Sequence, residues 1–177
     1  MTTVLPPSDP GGLSRLPAAL LAGGIAIAAN TALLALADRA GLVTAHGGLL
    51  RLLQLVAGRA AAAAGLAGPW NGLLLPATSG AVFKVGFHLA VGLVMALVYG
   101  FAAEPALAGR PWAKGLLCAV AVWFLNALIV LPAIGEGLAG SRHLEAAGMI
   151  GFAAIHTAFF LILAPLYARL RGTPRPA

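Results

Sequence analysis

Residues 80–103 read GAVFKVGFHLAVGLVMALVYGFAA, an apolar run with one formal charge, at Lys84, and one histidine, at His88. The hydrocarbon core of a bilayer is about 30 Å thick and is crossed by about 20 apolar residues at 1.5 Å per residue. This run therefore predicts a transmembrane helix. Three more runs have the same character, over residues 17–37, 115–134 and 146–167. Asp38 and Arg39 close the first of them, marking the return to polar surroundings. Four spans predict an all-α, integral membrane four-helix bundle.

The composition agrees. Of 177 residues, 60% are hydrophobic and 9% charged, against roughly 25% charged in an average soluble protein. That excludes a disordered chain, which is poor in apolar residues. The single cysteine, Cys118, excludes a disulfide scaffold within the chain. The expected organisation is a flexible cytoplasmic tail over residues 1–16, one four-span domain over 17–170, and a second cytoplasmic tail over 171–177.

About 40 residues join the first two runs, too many for a structureless connection. Between residues 49 and 64, Arg51, Gln54 and Arg59 recur at near-helical spacing among Leu49, Leu50, Leu52, Leu53, Leu55 and Val56. This predicts an amphipathic helix lying in the membrane interface. As a fifth span it would carry Arg59 near the bilayer centre, at a cost of ~2.5–3.5 kcal/mol. Gly68, Pro69, Trp70, Asn71 and Gly72 read as a turn with an interfacial aromatic.

Arg15, Arg110, Lys114, Arg169, Arg171 and Arg175 fall on one side of such a bundle. Arg39, Arg51, Arg59 and Arg142 fall on the other, with Lys84 just inside the second span. The pairs Arg110 with Lys114 and Arg169 with Arg171 flank short connections and span ends, which carry most orienting information. Both termini are thus expected in the cytoplasm of a cell with a bacterial-type inner (plasma) membrane. Tyr99, Trp112 and Tyr167 are expected in the aromatic belt of that interface. A net charge of +6 suits anionic lipid headgroups; basic residues dispersed over both faces do not suit nucleic acid.

Every span carries polar groups within the membrane, where no water satisfies them. They are Asn30 and Thr31, His88, Asn126, and His156 with Thr157, and their positions along the spans place them in one slab of the outer half. On the second span Lys84, His88, Gly92, Ala96 and Gly100 recur every four residues, a stripe whose small members allow close helix approach. On the fourth, Glu145, Gly148, Phe152 and His156 form a similar stripe, with Gly151 adjacent.

Three readings of this layer follow. Interhelical hydrogen bonding makes the chain an accessory subunit packing against a larger membrane complex. Alternatively, His88 and His156 are axial ligands of a b-type haem, with Gly86, Gly92, Gly148 and Gly151 giving room and Lys84 and Arg142 meeting propionates. Such an arrangement is similar to membrane cytochromes whose parallel helices supply the histidines. In the third, the histidines line a pathway for a small solute, a quinone or a proton.

The outer connection over residues 131–148 holds Glu136 and Glu145. Pro132 is expected to close the third span and Ser141 to cap the fourth. Glu145 falls near the positive end of that last helix, where an anion is stabilised by ~0.3–1 kcal/mol. Glu136, flanked by glycines, has Lys84, Arg142 and His143 as candidate partners. Glu136, His143, Glu145 and His88 are a candidate divalent-metal set without a recognisable ligand spacing, and His46 is expected in an exposed loop. No phosphate-binding glycine motif, nucleophile elbow or intramembrane carboxylate pair supports an enzyme.

Overall fold

The computed structural model describes residues 12–44 and 47–172, and among these it is helical without strands. Six helices follow one another: α1 (Arg15–Arg39), α2 (Gly48–Ala63), α3 (67–79), α4 (Ala81–Ala106), α5 (Pro111–Ala133) and α6 (Ala146–Leu170). Four of them, α1, α4, α5 and α6, are long and apolar enough to cross a membrane. The chain is an all-α, multi-pass membrane protein. His46 and Arg175 lie outside the described residues.

The spans alternate in direction. Their arrangement follows from which helix carries small residues on which face. In α1, Ala18, Ala19, Ala22, Gly23 and Ala26 are buried, and this narrow face admits α4 on one side and α6 on the other. Gly23 sits so close to Ala96 that an added Cβ would lie 2.4 Å from the alanine methyl; one added at Gly92 would lie 2.4 Å from Ile27 Cγ1. The helix α5 packs on α6, and α4 and α5 approach each other chiefly around residues 99–103. Hence α1 and α6 are interior, and α4 and α5 flank them. The most apolar window of α1 is 39% buried and that of α4 only 11%.

The start of α1 and the end of α6 meet at one face, where Leu13 N donates to Leu170 O (2.8 Å) and Arg171 Nη1 donates to Leu13 O (2.8 Å). Just inside this terminal face the rings of Tyr99 and Tyr167 meet edge to face, 5.8 Å apart, and Tyr167 OH donates to Gly100 O (3.1 Å). Each tyrosine is 1% exposed. The expectation that these two join an interfacial belt is therefore corrected. Both rings are buried and the Tyr167 hydroxyl finds a backbone acceptor, so the pair acts as core. Trp112, 52% exposed at the start of α5, stays at the surface.

Three helices contain a π turn, at Trp70–Leu74, Tyr99–Ala103 and Asn126–Val130. Each ends two residues before a proline, Pro76, Pro105 and Pro132. A proline lacks the N–H of the helical ladder, and its ring collides with the carbonyl four residues back. The wider turn moves that carbonyl aside and lets the helix continue. Pro132 consequently does not close α5 on its own; the helix runs through it to Ala133. The stretch around Trp70, expected as a turn, is likewise helical. Pro69 lies in the first turn of α3, where proline is tolerated, and the chain reverses instead at Gly65, whose φ is +74°.

Candidate functional site

The polar layer forms where α4 and α6 cross α1. Ile27 opposite Gly92 fixes the register of α1 against α4. One turn further, Asn30 and Thr31 lie level with His88. On the other flank Asn30 Nδ2 donates to the carbonyl of Ile155 (2.9 Å), the residue before His156. Thus Asn30, His88 and His156 lie at one level of the bundle.

Most of the layer is satisfied within its own helices. Thr31 Oγ1 donates to Ile27 O (2.8 Å), Asn126 Nδ2 to Val122 O (3.0 Å) and Thr157 Oγ1 to Ala153 O (2.8 Å). His156 Nδ1 donates to Phe152 O (2.9 Å), and its ring lies 4.1 Å from that of Phe152. A carbonyl can only accept, so neutral His156 carries its proton on Nδ1 and presents a lone pair at Nε2. Asn30, 2% exposed, makes the cross-helix bond, and its Oδ1 has no hydrogen-bond partner among the described residues. His88, His156, Asn126 and Thr157 are half-buried.

The glycines expected to make room for a porphyrin are already occupied. A Cβ on Gly92 would collide with Ile27. One on Gly148 would lie 2.1 Å from the carbonyl oxygen of Val43, and one on Gly151 would lie 2.6 Å from Leu42 Cδ2. The segment following α1 is thus laid along the glycine face of α6, where it buries Thr44. Gly86 alone of that set has open space around it, on an exposed face. Lys84 and Arg142 are both exposed, and Arg142 Nη1 donates to Gly135 O (3.3 Å). The space beside Gly92, Gly148 and Gly151 is thus filled by neighbouring chain.

A second polar cluster lies at the face opposite the termini. Glu136, 9% exposed, accepts hydrogen bonds from Arg51 Nη1 and from His143 Nδ1, the latter at 2.6 Å. Arg51 comes from α2, whose Gly48 packs against Leu131 and Val130. The sequence pointed to Lys84, Arg142 and His143 as partners; His143 is one, and Arg51 is the partner it missed. Gln54 Nε2 donates to Thr78 Oγ1 (3.1 Å) at the end of α3.

Glu145 stands apart. It is exposed and precedes α6 as its N-cap, without a side-chain capping bond. Ser141, expected as that cap, instead follows the short 3₁₀ turn Leu138–Gly140. Among the described residues no group of three or more His, Cys, Asp or Glu converges as metal ligands.

The hydrogen bond from Arg51 holds the Glu136 carboxyl below the usual carboxylate range; burial opposes this and His143 adds to it. A depressed pKa contributes stability that is complete above the unfolded value of about 4.3 and lost as pH falls through the folded value. Thermal unfolding of Glu136→Gln beside the unsubstituted chain, in detergent from pH 3 to 7, should show a constant deficit above about pH 4.3 that closes below it. A deficit that persists unchanged at pH 3 would show that the carboxylate charge is not what holds α2.

Compared with models of known families, with curated proteins and with solved structures, the chain matches none.

Proposed function

We propose that this protein is a small accessory subunit of a larger complex in a bacterial-type inner (plasma) membrane, with its termini in the cytoplasm, and that α4 receives the partner. The uneven cover of the spans carries this reading. In α4 the residues 81–86 are all exposed. On α5 the exposed side chains are apolar ones such as Leu125, Leu128 and Ile129, which lipid covers without loss. The outer half of α4 differs, because it also presents the exposed charge of Lys84, which lipid tails do not satisfy. Gly86, with nothing within 4 Å, allows a second helix to come close.

The polar layer supports the same reading. Thr31, Asn126, His156 and Thr157 bond to their own helices, Asn30 joins α1 to α6, and Gly92, Gly148 and Gly151 are closed by neighbouring chain. These are the marks of packing, not of a ligand bed. The buried Asn30 Oδ1, without a hydrogen-bond partner among the described residues, favours a second reading, a pathway for a small solute, quinone or proton. That reading would displace the first if the isolated chain in liposomes gave a pH-dependent flux altered by His88→Ala or His156→Ala.

The test is co-purification from native membranes in a mild detergent. The chain should elute with a larger assembly, and Gly86→Trp should release it severalfold while Leu128→Trp on α5 does not. Recovery of the unsubstituted chain only as a monomer, or equal loss in the two variants, would overturn the proposal.

A further inference from the structure

At the face opposite the termini, α2 and α3 form an antiparallel hairpin closed at its base by Gln54, which donates to Thr78 Oγ1 and, at 3.3 Å, to Thr78 O. Between them runs a groove of about 400 Å³ lined by Leu55, Gly58, Arg59, Ala62, Trp70 and Asn71 among others. Its floor exists because residue 58 has no side chain. A Cβ there would lie 2.8 Å from Trp70 Nε1, so the indole rests against bare backbone. Except for Arg59 the lining carries no formal charge. Arg59 is exposed and makes no hydrogen bond or ion pair among the described residues, whereas Arg51, two turns earlier, is held by Glu136.

We propose that this groove binds an anionic phospholipid, with the headgroup phosphate at Arg59 and the glycerol and upper acyl chain along Leu55, Ala62 and Trp70. Two features of the hairpin select that occupant. The hairpin joins the ends of α1 and α4 and exposes Val56, Leu66, Leu73 and Leu74, so it needs an apolar environment at headgroup level, which the lipid surface supplies. The groove is apolar with one uncompensated cation. A headgroup with a net negative charge neutralises that cation through charge-assisted bonds, while a zwitterionic headgroup brings a cation of its own. The Asn71 amide supplies a neutral donor beside the phosphate.

The experiment reconstitutes the full chain in nanodiscs of equal phosphatidylglycerol and phosphatidylcholine, extracts it in detergent and counts retained lipid by native mass spectrometry. Phosphatidylglycerol should be retained in preference. Arg59→Gln should lower its retention about fivefold, the effect of one basic residue near an anionic surface, and Arg59→Lys should keep most of it. Gly58→Val, which displaces the indole without changing charge, should also lower it. Helix content by circular dichroism guards against misfolding; should Gly58→Val fail that control, the two Arg59 variants decide. Equal retention of both lipids, no effect of Arg59→Gln, or an equal effect of Arg39→Gln outside the groove would each overturn the proposal.

Discussion

Gly115→Val should detach α5 from α6. A Cβ on Gly115 would lie 2.6 Å from the carbonyl oxygen of Phe160 and 3.0 Å from Ala164 Cβ. The first of these atoms belongs to the backbone of a helix and is engaged in its ladder, so it cannot swing aside as a long side chain would. The helices must separate instead. In lipid the attraction between spans comes mainly from close packing, without a hydrophobic drive, and separation loses it along the whole contact. Overpacking of a core costs about 1–3 kcal/mol, and this site lies at the upper end because the obstacle is backbone. Equilibrium unfolding in mixed micelles should show that loss. Gly86→Val, where an added Cβ meets nothing within 4 Å, should leave the isolated chain unchanged. Equal losses in the two would mean that glycine content, not contact, governs stability.

The second large effect is expected from Asn30→Asp, a change of almost no volume. Asn30 Nδ2 donates to the Ile155 carbonyl in the interior of the bundle. An ionised aspartate has no donor to offer that carbonyl and places a charge at membrane depth, where insertion scales give about 3 kcal/mol. Protonated, it regains a donor. Burial in the bundle disfavours the ionised form, so the penalty relative to the unsubstituted chain is smallest in acid and grows as pH rises. Stability of the variant near pH 4 should approach that of the parent at the same pH and fall away by pH 7. A deficit independent of pH would place residue 30 outside the dry interior.

What the sequence made legible was the set of features that depend on one helix at a time. Four apolar runs announce four spans, and the depth of Asn30, His88 and His156 follows from counting residues along them. Which neighbour occupies a gap depends on the rotation of helices about one another, which a period in one segment does not encode. The stripe of Gly92 and Gly100 announced a close approach, but not that Ile27 and Tyr167 would be the side chains received there. For the same reason Tyr99 and Tyr167 resemble belt residues in sequence and are core in the fold. Gly148 and Gly151 accept the extended segment Leu42–Thr44, which no helical pattern foretells. Nor was the pairing of Arg51 with Glu136 legible, since it joins residues from two separate connections at one face.

The proposed function rests on α4 being the least covered of the four spans. Position-resolved photo-crosslinking in native membranes tests this most directly, with the reactive residue at 82, 85 or 86 on α4 and at 125, 128 or 129 on α5. A discrete protein adduct of fixed mass from the α4 positions, with lipid adducts alone from α5, is the predicted outcome. Lipid adducts alone from both helices, or the same protein adduct from both, would contradict it.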